Sequence, residues 1–310
     1  MQVSALTRKL WREAQSLKGQ ILTIALVLAG GIACFIALRG TYSSLEWARE
    51  AYYDRYRFAD VFASLERAPE SLVNRIERLD GVAAVQTRIV KEVALPIEGT
   101  TLPAYGRLLS LPASGSPATN ALYLRSGRLP QRGATDEVAL LEPFANKNGL
   151  TVGQRVPVIL NGTLRQLRIV GLVLSPEFVY AIRPGALVDD PRRYAVLWMD
   201  RSVLASAFEL DGAFNDVSLR LQPGASEAGV CAALDRLLEP WGGDGAIGRS
   251  NQVSNRILTQ ELSQLRALAG MVPMVFLGVA AFLVNRVLSR LISLQRSEIA
   301  TLKAIGYLNA

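Results

Sequence analysis

The sequence predicts a membrane protein of the α+β class, in which two transmembrane helices flank an outer domain made of a split ferredoxin-like β-α-β unit with a mainly β insert. Three observations carry that expectation. Ile21 to Leu38 and Ala267 to Val284 each hold 18 residues without one Asp, Glu, Lys or Arg, about the least that crosses a hydrocarbon core as a helix. Basic residues crowd the far ends of both runs: Arg8, Lys9, Arg12 and Lys18 precede the first, and Arg286, Arg290, Arg296 and Lys303 follow the second. Between the runs, strand-like and helix-like apolar patterns alternate through residues 39–266. By the positive-inside rule both chain ends are expected in the cytoplasm and the segment between them outside.

The charge distribution explains the basic pI of about 9.6. Eight of the 34 basic and two of the 27 acidic residues lie in the two ends, which leaves 26 against 25 for the outer segment. An almost neutral outer domain offers no basic face for nucleic acid. Histidine is absent, which excludes imidazole acid/base chemistry, a Ser-His-Asp triad and histidine metal ligands. Of the two cysteines, Cys34 lies in the first run and Cys231 outside it, so the outer domain holds no internal disulfide and has to rely on a hydrophobic core. No Gly-rich turn ends in Gly-Lys-Ser/Thr, so the chain carries no phosphate-cradling loop of its own. No cofactor, metal site or catalytic residue is expected.

In chain order, Leu6, Leu10, Ala14 and Leu17 recur at helical spacing among basic residues, which predicts an amphipathic helix on the inner membrane face over 1–20. The first span follows over 21–38. With Arg39 and Tyr42 behind it rather than a small-residue cleavage site, it reads as an uncleaved anchor. Ser44 to Arg57, free of Gly and Pro, continues it as a stalk whose Tyr52, Tyr53 and Tyr56 are packing residues rather than a ligand cage. Ala59 to Leu65 alternates like a strand, Pro69 opens a helix that stops at Asp80-Gly81, and Val82 to Leu95 and Leu102 to Leu109 complete a β-α-β-β pattern. The pattern resumes with a strand at Asp216 to Leu221, a helix at Glu227 to Leu238 and a short strand near Ala246. The two pieces would form one unit interrupted by an insert of about 118–210. Within the insert, strands at Glu137 to Leu141, Arg155 to Leu160 and Thr163 to Leu174 surround Asn161-Gly162, a two-residue hairpin signal. Leu258, Leu262 and Leu265 mark a second stalk over Asn251 to Arg266, the second span follows over 267–284, and 285–310 is cytoplasmic.

Two groups of residues carry a family resemblance. Gly127-Arg128-Leu129-Pro130, Asp136-Glu137-Val138, Ala145, Gly149 through Val156, Gly162 and Arg168-Ile169-Val170-Gly171 resemble the periplasmic core of MacB-like and FtsX-like ABC transporter permeases. Arg296-Ser297-Glu298-Ile299-Ala300-Thr301-Leu302-Lys303-Ala304-Ile305-Gly306 is similar to the R-x-E-I-x-x-L-(K/R)-A-(I/L)-G signature that those families carry in the cytoplasm. The matches fall on opposite sides of the second run and agree with the derived orientation.

The resemblance implies a multi-pass permease of the bacterial inner membrane, with a cytoplasmic N-terminus and a large porter-like periplasmic domain. It implies a homo- or heterodimeric assembly driven by a separate ABC ATPase, surrounded by membrane lipid, with a periplasmic adaptor as an optional partner and no nucleic acid. ATP hydrolysis by the partner would be turned into movement of the outer domain, mechanotransmission in the service of export or of lipid and lipoprotein handling. Since such permeases have at least four spans, the chain is expected to be an N-terminal half or fragment, or a truncated gene product. The coupling residues implied are Arg296, Glu298, Ile299, Leu302, Lys303, Ile305 and Gly306. Pro273, which removes a backbone donor inside the second span, is the expected kink. On the residues alone, the glycine-rich motifs read as structural turns rather than a ligand site. Two other readings stay open: a bitopic sensor or activator of a cell-wall enzyme, against which the 26 residues after Val284 leave little room for an output module, and an anchored hydrolase, which would need Lys91 or Lys147 as its base.

Overall fold

In a computed structural model, the structure describes residues 12, 15, 18–96, 104–113, 115–186, 190–294, 296, 300, 301 and 304. The chain divides into a helical unit, Met1–Trp47 with Glu261–Ala310, and an outer unit, Ala48–Gln260. The expected amphipathic helix over 1–20 falls mainly outside the described residues.

The helical unit is made by two long helices. Helix α1 (Lys18–Arg55) has no Pro and no acidic residue in its first turn; a second helix of 42 residues, Val253–Leu294, contains Pro273. Both are long and apolar enough to cross a membrane, and their apolar stretches are almost entirely uncovered by protein, 6% and 17% buried respectively. Leu22, Leu26, Met274 and Phe282 stand exposed along them, the pattern of helices whose surroundings are apolar rather than aqueous. The helices approach closely at Gly31, where a Cβ would lie 2.8 Å from Phe276 Cβ, the small-residue contact typical of helices packed in lipid.

The outer unit has two bodies. The first is a four-stranded antiparallel sheet of β1 (Val61–Pro69), β2 (Val82–Arg88), β10 (Ala213–Leu221) and β11 (Ile247–Gly248), in the order β11-β1-β10-β2. A short helix, α2 (Val73–Glu77), follows β1, and α5 (Glu227–Leu238) follows β10. Ser226 caps α5 by accepting from Gly229 N at 3.2 Å, and Val230, Leu234 and Leu238, spaced one turn apart, pack on Val61, Phe214, Val217 and Leu219. Each fully buried aliphatic side chain there contributes about 1.5–3 kcal/mol.

The second body is a closed barrel. It comprises β3 (Val90–Leu95), β4 (Ala104–Ser110), β6 (Glu137–Leu141), β7 (Arg155–Leu160), β8 (Thr163–Leu174) and β9 (Tyr194–Met199), with β5 (Tyr123–Gly127) added on the outside of β8. The ring runs β8-β6-β9-β4-β3-β7 and closes where β7 pairs with β8. Closure leaves no open edge among the six strands. Inward residues Leu95, Leu108, Val138, Leu140, Val158, Ile169 and Leu197 fill it, and helices α3 (Glu142–Asn148) and α4 (Arg201–Ala207) add Phe144 and Leu204. The β7–β8 hairpin turns at Asn161 and Gly162, both left-handed at φ 44° and 79°, as the Asn-Gly signal requires.

The barrel corrects part of the predicted architecture. Val82 to Leu95 is not one strand: it breaks at the buried Ile89, whose N–H donates to Ser110 Oγ at 2.9 Å. β2 stays in the four-stranded sheet while β3 and β4, expected in the β-α-β unit, join the barrel, β4 pairing in parallel with β9. The β-rich body therefore begins at Val90, ahead of the expected 118. Alternation marks a strand but says nothing about its partner. Elements β5, α3, β9 and α4 went unforeseen. β9, buried along its whole length between two strands, shows a continuous apolar run instead of alternation.

Candidate functional site

The outward ends of the two long helices meet the rest of the outer unit in one connected set of contacts. α1 ends at Arg55, and Arg57 turns the chain left-handed at φ 52°. Phe58, fully buried, then packs at 4.4 Å between ring centroids on Tyr53 and 5.6 Å on Phe62. Tyr53 is buried as well, and its hydroxyl donates to Asn255 Oδ1 at 3.1 Å. Asn255 belongs to the second long helix, here α6 (Val253–Leu294). Burial raises the Tyr53 phenol above its ordinary range, so it remains a neutral donor. Tyr52 and Tyr56 pack with tilted rings at 4.9 Å between centroids, and Tyr56 and Tyr123 likewise at 5.5 Å. The tyrosines are packing residues, as the sequence suggested.

The start of α6 is held by side chains on both sides. Arg249 donates to Phe58 O at 2.7 Å, to Ala59 O at 2.9 Å and to Asp60 Oδ1 at 2.5 Å. Asn255 Nδ2 donates to Arg249 O, and Gln252 Oε1 accepts from Asn255 N. Gln252 Nε2 reaches Glu177 O at 2.8 Å, and Ser254 Oγ accepts from Tyr180 N at 2.9 Å. Glu177 and Tyr180 lie in the connection between β8 and β9, so α6 is tied to the barrel, whereas Arg249 ties its base to Phe58–Asp60, the segment leading into β1.

Glu177 is also the centre of a buried ionic cluster. Arg88, at the end of β2, donates to both Glu177 oxygens at 2.5 and 3.1 Å and to Asp216 Oδ1 of β10 at 2.7 Å. Asn120 Nδ2 donates to Glu177 Oε2 at 2.9 Å while Asn120 Oδ1 accepts from Ala59 N at 2.9 Å. Burial alone would lower the Arg88 guanidinium, but the two carboxylates outweigh it and keep the group charged. Burial pushes the Asp216 carboxyl above the usual carboxylate range, with Arg88 opposing. One guanidinium thus joins the four-stranded sheet to the barrel connector that also holds α6. A fork of this geometry fixes orientation as well as distance.

The motif residues that carried the periplasmic part of the resemblance also come together, as scaffold. Arg128 donates to both Glu137 oxygens at 2.5 and 2.7 Å, Arg168 to Glu137 Oε1 at 2.7 Å and Gln131 N to Oε2 at 3.0 Å. Arg128, with burial opposing and Gln131 N–H assisting, holds the Glu137 carboxyl down at about 2. Gly127 and Gly171 face each other across β5 and β8. A Cβ on Gly127 would sit 2.2 Å from Val170 O, and one on Gly171 2.2 Å from Arg128 O. Glycine at both places is a steric necessity.

Of the expected coupling residues, Arg296 is helical and exposed. Glu298, Ile299, Leu302, Lys303, Ile305 and Gly306 lie outside the described residues. Pro273 sits inside α6, with helix on either side. Among the described residues no group of three or more His, Cys, Asp or Glu side chains is placed to hold a metal ion. The junction residues Arg88, Asn120, Glu177, Arg249 and Asn255 were not singled out from the sequence, because isolated polar residues at strand ends, helix starts and connections carry no periodic signal.

The sequence matches no family model and no curated protein. Among solved structures, the extracellular domain of the noncanonic ABC-type transporter YknZ from Gram-positive bacteria is similar at 12% identity and a TM-score of 0.38, covering 60% of this chain and 98% of its own. The periplasmic region of MacB from Actinobacillus actinomycetemcomitans is similar at 12% identity and a TM-score of 0.38, covering 67% of this chain and 95% of its own. Scores of that size assign no function to the chain.

Proposed function

We propose that this chain is a permease subunit of the MacB/FtsX type of ABC transporter, anchored in the membrane by α1 and α6, with both ends cytoplasmic and the outer unit periplasmic. In this reading the outer unit is a split ferredoxin-like sheet carrying the barrel, and it works by mechanotransmission. A separate ATPase docks on residues 296–306, and its cycle displaces the two helices. The observation that carries the reading is the junction. Each helix is continuous from an apolar run into the outer unit, and there their residues are joined to each other through Tyr53–Asn255 and to both β bodies through Arg249, Gln252 and Glu177. A displacement at that point has rigid, fully hydrogen-bonded parts to act on. Pro273 supplies a position where α6 lacks one backbone bond and bends at lower cost.

Docking is tested at Leu302. In membranes carrying the permease with the two further spans that the resemblance implies, Leu302→Asp is expected to abolish co-purification of the ATPase and its stimulated turnover, because small interfaces concentrate their energy in a few buried apolar side chains. Lys303→Gln is expected only to make association weaker and more salt-sensitive. If Leu302→Asp leaves binding and stimulation intact, the segment is a helix end and not a docking surface.

A further inference from the structure

The two long helices leave a cleft of about 620 Å³ between them in the helical unit, lined by Gln20 and Thr23 of α1 and by Arg286, Ser289, Arg290 and Ser293 of α6. Spacings of three, four and seven put the four α6 residues on one helical face, and Gln20 and Thr23 share a face of α1. The cleft lies at a particular level of the sequence. Gln20 immediately precedes Ile21, where one apolar run begins, and Arg286 stands two residues beyond Val284, where the other ends. The polar lining therefore sits at one edge of both runs, next to the apolar Ile24 and Leu283, which also line it.

Two unmet requirements define what would fit. Among the described residues no carboxylate lines the cleft, and two guanidiniums one helical turn apart face it. Arginine forks at that spacing match a phosphate better than a point charge does. The second requirement is of opposite kind. Among the described residues Gln20 Oε1 is the buried side-chain polar atom that finds no hydrogen-bond partner, and the nearby Thr23 hydroxyl is already spent on Gly19 O at 2.9 Å. An orphaned acceptor calls for a donor. A ligand with a phosphodiester, a hydroxyl on its alcohol side and an apolar tail meets all three conditions.

We propose that this cleft binds an anionic phospholipid headgroup, with Arg286 and Arg290 on the phosphate and Gln20 Oε1 accepting from a headgroup hydroxyl. Ser289 and Ser293 supply further donors, and the acyl chains run along the adjoining apolar faces. The site rests on the reading of the two runs as membrane spans and gives that reading a lipid-dependent element at its cytoplasmic edge.

The test uses the whole 310-residue chain, purified in detergent and examined by native mass spectrometry after exposure to phosphatidylglycerol, phosphatidic acid or phosphatidylcholine. The chain is expected to retain phosphatidylglycerol over phosphatidylcholine. Arg286→Gln with Arg290→Gln should weaken retention roughly 25-fold, about fivefold for each arginine, and the double Lys variant, which keeps the charge but loses the fork, should fall between the native chain and the double Gln variant. Gln20→Leu should abolish the preference for phosphatidylglycerol over phosphatidic acid, which lacks the hydroxyl, without removing binding of either. Unchanged retention in the double Gln variant overturns the site. Displacement of the lipid by an equal concentration of glycerol phosphate identifies a free-anion site and overturns the lipid assignment. Labelling of a cysteine placed at Ser297 by an impermeant thiol reagent in intact spheroplasts would sink the topology itself, whereas correct topology with no lipid discrimination sinks the headgroup site alone.

Discussion

Replacing Arg88 with methionine strands Glu177 and Asp216 opposite each other in a buried space, because the guanidinium that separates them supplies hydrogen bonds to both. Methionine fills a similar volume, so the cavity contribution is small and the cost is electrostatic. Removing one partner of a buried ion pair costs about 3–5 kcal/mol. For a domain of roughly 200 residues, about 1 kcal/mol moves Tm by about 2–4 °C, so the outer unit should melt roughly 6–20 °C lower. The cost should shrink as pH falls. Burial already pushes the Asp216 carboxyl up, and without Arg88 the smaller pull of Arg107 is what is left to oppose it. The folded variant then binds more protons than the unfolded chain, and its stability declines as pH rises through the raised folded pKa. Calorimetry of the outer unit at pH 7 and pH 4.5 checks both points. Arg88→Met combined with Glu177→Gln and Asp216→Asn should recover most of the loss, since no buried charge remains. A loss below 1 kcal/mol at pH 7, or a triple variant no better than the single one, would refute the view that this cluster locks the sheet to the barrel connector.

Glu137→Gln should cost about 1–2 kcal/mol at pH 7, the value of its depressed carboxyl discounted for the exposure of Arg128 and Arg168. The native contribution is complete above the ordinary carboxylate pKa of 4.5 and lost as pH falls toward about 2, so the variant's acid-unfolding curve should be flatter through that window. Gly171→Ala drives a Cβ into Arg128 O and should cost about 3 kcal/mol or more, read as a lowered denaturation midpoint; an unchanged midpoint would mean that β5 is not held as described. A cysteine placed at Ser126 should react with an impermeant thiol reagent in spheroplasts and one placed at Ser297 should not, and labelling at Ser297 alone would reverse the orientation. The outer unit, whose lone Cys231 is unpaired, should unfold in one cooperative transition unaffected by reductant; a gradual transition would show that its core is completed elsewhere.

Local order determines what a single sequence can show. The two long helices and the β7–β8 hairpin were legible because their causes are local: uncharged length, and an Asn-Gly pair with two left-handed residues. The motif glycines were legible as scaffold, and the structure supplies the reason in the mutual approach of Gly127 and Gly171. The partner choice of each strand was not legible, since a period of two is the same whether a strand pairs in a sheet or in a barrel. Val82 to Leu95 looked continuous because nothing in its alternation reveals that Ile89 is where the chain leaves one sheet for another. The junction was invisible for a related reason. Arg88, Asn120, Glu177 and Asn255 are spread over 168 positions, each unremarkable where it stands. Their meaning comes from being buried together, where an unpaired charge or amide is costly and a paired one holds its neighbours in register. By itself the sequence determined that two apolar helices bound a nearly neutral, disulfide-free central domain; only the tertiary structure decided that the domain closes a barrel and that one arginine fastens it to the sheet, because burial sets the energy of those contacts and burial is a property of the fold.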